Sequence, residues 1–170
     1  YYEAVNYVAE NGIMIGVGNN RFSPTRAMNR AELVTMLYRL AGSPEVSGTE
    51  PFTDVPEDAY YTKAVVWGYA NGIVKGVSDT LFRPASSVTR EQMATFFYRL
   101  ADYSGKDVSQ RADLSSFSDA ASVSGYAKDT MAWAVETGLI IGVGDNRLSP
   151  RGTAIRAQVA QIVMRYLEGE

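Results

Sequence analysis

The chain has 170 residues, 46% hydrophobic and 21% charged, a composition suited to one folded domain or a small array of repeats. It contains no cysteine and no histidine, which removes disulfides, thiolate and imidazole metal sites, thiol catalysis and the commonest general base. The formal net charge of −3 argues against a nucleic-acid partner, and no apolar run approaches membrane-spanning length. No signal peptide is present and Tyr1 is not an initiator, so a piece of a longer or processed chain is expected.

The first predicted helix covers Glu3–Asn11, where Ala4, Val5, Tyr7 and Val8 fall at helical spacing. Gly12 followed by Ile13 predicts a Schellman stop, with glycine in the left-handed C′ conformation and the apolar residue folded back on the helix. The loop over 16–24 holds Gly16, Gly18, Asn19 and Asn20, which tolerate positive φ, and Phe22 is its expected plug. A second helix is predicted from Asn29–Arg30. Asn29 is its N-cap, Glu32 completes a capping box, and Met28 with Leu33 forms a hydrophobic staple. Its apolar stripe is Leu33, Met36, Leu37 and Leu40.

The same series returns twice. Tyr7, Gly12, Gly16, Phe22, Pro24 and Arg30 correspond to Trp67, Gly72, Gly76, Phe82, Pro84 and Arg90, then to Trp133, Gly138, Gly142, Leu148, Pro150 and Arg156. A shared offset at so many landmarks is an internal repeat. The second copy keeps the box as Thr89 with Gln92 and the staple as Val88 with Met93. In the third copy Ile155 sits at the cap position, so the side-chain cap is lost. Connectors over 42–50 and 102–116 are rich in Gly, Ser and charge, and divide the chain into units 1–42, 52–102 and 117–168 of one domain. Phe52-Thr53-Asp54-Val55 and Phe117-Ser118-Asp119-Ala120 open the second and third units. The first unit has no such opening, so the surface it would cover is expected to be exposed apolar area or to be filled by a neighbouring chain. Two short helices per unit cannot bury their stripes alone. An all-α fold follows, and three units suit closure around a pseudo-threefold axis better than a linear stack.

The ordered set F-x-D-V, an aromatic in mid-helix, N-G-I-x-x-G, F-x-P and T-R-x-E/Q resembles three tandem surface-layer homology motifs. The resemblance implies a three-pronged spindle with a shared central helical bundle. It also implies an extracellular role, anchoring an exported bacterial protein non-covalently to the cell wall. The implied partner is secondary cell-wall polysaccharide carrying pyruvylated sugar, held in grooves between motifs, with no cofactor and no membrane insertion. A protein–protein assembly domain of a surface layer is the alternative, and an enzyme is not expected.

The T-R-A-E signature maps onto Asn29-Arg30-Ala31-Glu32, Thr89-Arg90-Glu91-Gln92 and Ile155-Arg156-Ala157-Gln158. An arginine in the first turn of a helix opposes the macrodipole, which suggests a compensating anion. Helix N–H groups and a guanidinium fork together suit a carboxylate. The structural reading pairs these arginines with Asp54, Asp119 or a helix acid of another unit. The resemblance favours ligand contact for Arg30 and Arg90 and leaves the two readings level for Arg156. Because Ile155 cannot cap its helix, Arg156 is expected to be the weakest anion contact. Tyr7, Trp67 and Trp133 are core aromatics or sugar platforms, with neither reading preferred. Gly16, Gly76 and Gly142 are first of all turn residues that could also admit a sugar. Asp54 and Asp119 cap a turn or position an arginine, with sugar contact less favoured. Carboxylate pairs such as Asp54 with Glu91, or Asp119 with Glu136, read as solvated faces rather than a glycosidase pair. Asp79 and Asp145 lack the acidic density of a calcium loop, so no metal is expected.

Overall fold

A computed structural model describes residues 1–19 and 21–169; Asn20, expected to share in the positive-φ loop, lies outside the described residues. Six helices alternate with loops: α1 Tyr2–Glu10, α2 Arg30–Leu40, α3 Thr62–Ala70, α4 Arg90–Tyr103, α5 Lys128–Glu136 and α6 Arg156–Glu168. Among the described residues there is no strand, and the fold is all-α.

The predicted stops form as expected. Gly12, Gly72 and Gly138 all have φ between 66° and 70°. The Gly12 amide bonds Ala9 O and the Ile13 amide bonds Val8 O, the two hydrogen bonds of a Schellman motif. Gly72 and Ile73 repeat this on Tyr69 and Gly68. Both predicted capping boxes are also present. Asn29 Oδ1 accepts from the Glu32 amide at 2.8 Å, and Glu32 Oε2 accepts from the Asn29 amide at 3.0 Å. Thr89 and Gln92 make the same pair at 3.3 and 3.2 Å. At Ile155 only the Gln158 half survives, because isoleucine has no acceptor.

The units close on each other cyclically. Helices pair across unit boundaries, with α2 against α3, α4 against α5 and α6 against α1. At the centre a ring of main-chain hydrogen bonds joins the three staple residues. Met28 N donates to Ala154 O, Ala154 N to Val88 O, and Val88 N to Met28 O, at 2.9, 3.0 and 2.9 Å. Isolated antiparallel bridges, Ala27 with Ile155, Asn29 with Ser87 and Thr89 with Thr153, flank the ring. Leu33, Leu37, Met93, Phe97, Val159 and Val163 are buried around it. A linear stack would leave its terminal units unjoined.

Asp54 and Asp119 hold loops. Asp54 accepts from the amides of Phe82 and Arg83 at 2.8 and 2.7 Å, and Asp119 from Leu148 and Ser149 at 2.8 Å each. Arg83 and Ser149 have positive φ, so each carboxylate ties down a strained corner. Phe52 packs on Phe82 with ring centroids 5.5 Å apart. The described chain has no counterpart of Phe52 over Phe22, which is half-buried where Phe82 and Leu148 are fully buried.

The reason for Gly16, Gly76 and Gly142 differs from expectation. Their φ values are not positive; positive φ falls instead on Gly18, Asn19, Gly144, Asp145 and Asn146. The constraint is close approach. A Cβ on Gly76 would collide first with Ser78 O and then meet Phe52 Cε1 at 2.5 Å and Leu81 O at 2.6 Å, whereas on Gly142 its nearest neighbour would be Arg147 O at 3.2 Å. Gly76→Ala is therefore expected to cost about 1–3 kcal/mol and Gly142→Ala less than about 1 kcal/mol. Thermal unfolding of the two variants side by side measures the difference.

Burial pushes the Asp119 carboxyl up, but the Leu148 and Ser149 amides outweigh it and hold it below the ordinary carboxylate range. A folded pKa below the unfolded one adds stability that is present above the unfolded pKa. That stability is lost as pH falls through the folded value. Asp119→Asn should lower stability by about 1 kcal/mol at neutral pH. Melting curves should show the gap to the parent protein shrinking below the ordinary aspartate range.

Candidate functional site

Each of the three signature arginines crosses to the following unit. Arg30 donates from Nε to Phe82 O at 2.7 Å and from Nη2 to Lys75 O at 2.9 Å. Arg90 does the same to Leu148 O and Ile141 O at 2.8 and 2.7 Å. Arg156 reaches Phe22 O and Ile15 O at 2.8 and 2.7 Å. All three are buried. The carbonyls that accept from Nη2 immediately precede Gly16, Gly76 and Gly142, which explains why those loops must be tight. Arg30 lies over the Phe82 ring at 4.6 Å and the Phe96 ring at 5.4 Å, and Arg156 over Phe22 at 4.6 Å, so two of the cations also rest on aromatic rings.

The helix N-termini are not open to a ligand, contrary to the sequence-based expectation. The first two amides of α2 donate to Ser86 O and Pro84 O, those of α4 to Gly152 O and Pro150 O, and those of α6 to Arg26 O and Pro24 O. Cross-unit carbonyls already satisfy the donors that a carboxylate would need. An anion at these sites has to be met by side chains.

Side chains do converge, in three related grooves. The first groove has a volume of about 380 Å³ and is lined by Arg156, Arg39, Arg26, Glu32 and Tyr60. The second, of about 470 Å³, has Arg30, Arg99, Lys75, Gln92 and Tyr126. The third, of about 370 Å³, has Arg90, Arg165, Gln158 and Tyr1. The second arginine of each groove leans on the loop by one long hydrogen bond: Arg39 to Ile13 O at 3.5 Å, Arg99 to Ile73 O at 3.4 Å and Arg165 to Leu139 O at 3.5 Å. Sequence reasoning missed these arginines and the rim tyrosines. Arg39, Arg99 and Arg165 obey the repeat offsets, and so do Tyr60 and Tyr126, so the signal was present.

The electrostatics differ among the grooves. In the first, the Glu32 carboxylate pairs with Arg26 and lies 3.5 Å from Arg156 Nη1. This is the helix acid of another unit that the structural reading anticipated, and among the described residues it holds for Arg156 alone. Among the described residues lining the second and third grooves there is no carboxylate. Burial pulls the Arg30 guanidinium down to about 10, against Tyr126 and Asp54, so it stays charged at neutral pH. Tyr126 is pushed up to about 12, by burial first and then by the Glu91 carboxylate to which its hydroxyl donates at 3.4 Å.

The other sequence candidates lie elsewhere. Trp67 and Trp133 are buried, edge-on to Tyr103 and Tyr98 respectively, and line none of the three grooves. Neither indole Nε1 has a hydrogen-bond partner among the described residues. Tyr7 is exposed on α1 and also outside the grooves. Asp54 and Asp119 are occupied with loop amides and line no groove. Among the described residues no acidic cluster could hold a metal ion, and no helix is long and apolar enough to cross a membrane.

The threefold repeat of the sequence has a counterpart in known proteins. The S-layer homology domain model matches residues 1–34, 51–94 and 116–160. The chain belongs to the S-layer homology domain family. It is 33% identical over 169 residues to a surface-layer 125 kDa protein of Lysinibacillus sphaericus, covering 98% of this chain and 14% of that protein. It is 30% identical over 166 residues to exoglucanase XynX of Acetivibrio thermocellus, covering 98% of this chain and 15% of the enzyme. It is 25% identical over 167 residues to S-layer protein sap of Bacillus anthracis, covering 96% and 19%. The chain thus spans less than a fifth of the length of these relatives. An S-layer homology domain is an extracellular cell-surface module with a cell-wall anchoring role.

The clamp geometry makes a stability prediction for this domain. Arg90→Ala leaves two loop carbonyls without a charged donor and should cost about 2–4 kcal/mol. Arg90→Lys keeps the charge but loses the fork and should recover only part of that loss. Urea denaturation of both variants measures the difference.

Proposed function

We propose that the module binds secondary cell-wall polysaccharide by taking the carboxylate of a pyruvylated sugar into its grooves, chiefly those of Arg30 and Arg90. The observation that supports this is the pairing, in each of these grooves, of two arginines with a lining that contains no carboxylate among the described residues. Nε and Nη2 of Arg30 and Arg90 fix the guanidinium in place, and the second arginine of each groove is held by only one long hydrogen bond. The guanidinium is thus positioned before the ligand arrives, which lowers the ordering cost of binding. Tyr126 and Tyr1 stand exposed at the rims, where a ring can lie against the C–H face of a sugar. They take the platform role that the sequence suggested for Tyr7, Trp67 and Trp133. Arg156 remains the weakest of the three contacts, because Glu32 occupies it rather than because its helix lacks a cap.

A protein partner is the second reading. The groove loops expose Ile15, Val17, Ile141 and Val143, an apolar rim that a protein could also cover. Retention on purified cell-wall sacculi, before and after chemical stripping of the polysaccharide, separates the two. A glycan binder loses retention on stripping, and undiminished retention rejects it. Within the glycan reading, Arg99→Ala and Arg165→Ala should each weaken binding about tenfold or more, the loss of one charge-assisted hydrogen bond. Calorimetric titration with wall polysaccharide reads this, with melting curves confirming folding. Unchanged affinity in both variants places the ligand elsewhere and leaves the grooves structural.

A further inference from the structure

The three grooves are built on one plan but differ in charge at one position that all three share. The third residue of the second helix is Glu32 in the first groove, Gln92 in the second and Gln158 in the third. All three side chains make the same local hydrogen bond, accepting from the amide of the cap residue. The cap hydrogen bond is thus common to all three, and what sets Glu32 apart is its negative charge. Glu32 turns its carboxylate to the groove cations, hydrogen-bonding Arg26 through both oxygens and lying 3.5 Å from Arg156 Nη1. Arg26 has no counterpart in the other units, where Ser86 and Gly152 stand at its position. The first unit thus carries both an extra cation and the carboxylate that satisfies it.

The position that Glu32 fills is where an incoming carboxylate would meet Arg156. An acidic sugar entering the first groove would face a fixed carboxylate of like charge beside a guanidinium already paired, with Arg39 as the remaining cation. In the second groove Arg30, Arg99 and Lys75 face Gln92, and in the third Arg90 and Arg165 face Gln158. A glutamine at this position can donate to a ligand carboxylate through its amide, which an ionised glutamate cannot do.

Resting on the anionic-sugar reading above, we infer that Glu32 is an internal occupant that closes the first groove to acidic sugars. The domain then holds two anionic sugars at once, one in the second groove and one in the third.

The experiment is calorimetric titration of the whole domain with the methyl glycoside of pyruvylated N-acetylmannosamine, a ligand small enough to fill one groove. The parent protein is expected to bind two equivalents. Glu32→Gln should bind three, because it installs the residue that the other two units already use and keeps the hydrogen bond to the cap. Gln158→Glu should bind one, and because it removes a site without removing an arginine, it separates the effect of the carboxylate from loss of a cation. Melting temperature and helical circular dichroism, recorded on each protein, verify the fold. Three equivalents in the parent, or two in Glu32→Gln, overturns the inference while leaving the polysaccharide reading intact. Absence of binding in the parent and in both variants overturns the reading itself and this inference with it.

Discussion

The ring of three main-chain hydrogen bonds among Met28, Val88 and Ala154 is the constraint on which the rest of the molecule depends. Each of these residues sits just before the cap of a second helix and is buried. Each gives its amide to one neighbouring unit and its carbonyl to the other. With both main-chain groups committed in an apolar centre, the three helix starts cannot rotate or slide independently, because a broken bond would bury an unsatisfied group. The clamping arginines extend the same logic outward. Each begins at the helix start fixed by the ring and reaches the loop of the next unit, so the relative position of helix and loop is set twice.

This arrangement explains an apparent conflict in the sequence. An arginine in the first turn of a helix opposes the helix dipole. Three such arginines looked like evidence for an anion nearby. The structure satisfies them first with neutral carbonyl oxygens, two each, which stabilise a buried cation through hydrogen bonds without a carboxylate. That leaves Arg30 and Arg90 with net positive charge at the groove, whereas an ion pair with Asp54 or Asp119 would have cancelled it. The aspartates are spent on backbone amides at the strained corners beside Arg83 and Ser149, and these corners shape the loops that the arginines grip.

Much of this was legible in the chain itself because the signals were local. Schellman stops at Gly12, Gly72 and Gly138 and capping boxes at Asn29 and Thr89 depend on residues within a few positions of one another. Repetition made the helices and the signature arginines visible as well. The parts that were not legible depend mostly on contacts between residues distant in sequence. Nothing near Trp67 or Trp133 in sequence distinguishes a buried indole from an exposed one; that is decided by Tyr103 and Tyr98 arriving from other helices. The amides at the helix starts looked available because their acceptors, such as Ser86 and Pro84 for α2, lie more than fifty residues away. Gly76 was legible as a glycine that mattered, but not as one forbidden a Cβ by Phe52 and Leu81.

The cyclic order also determines what can be cut away. The first groove takes its clamp from Arg156 in the third unit, its loop and Arg39 from the first, and its rim tyrosine, Tyr60, from the second. The other two grooves permute the same contributions. In a linear solenoid, deleting a repeat shortens the array and leaves the remaining interfaces whole. Here no groove belongs to any one unit, so deleting a unit dismantles all three. Such a chain gains grooves only in complete triplets of units.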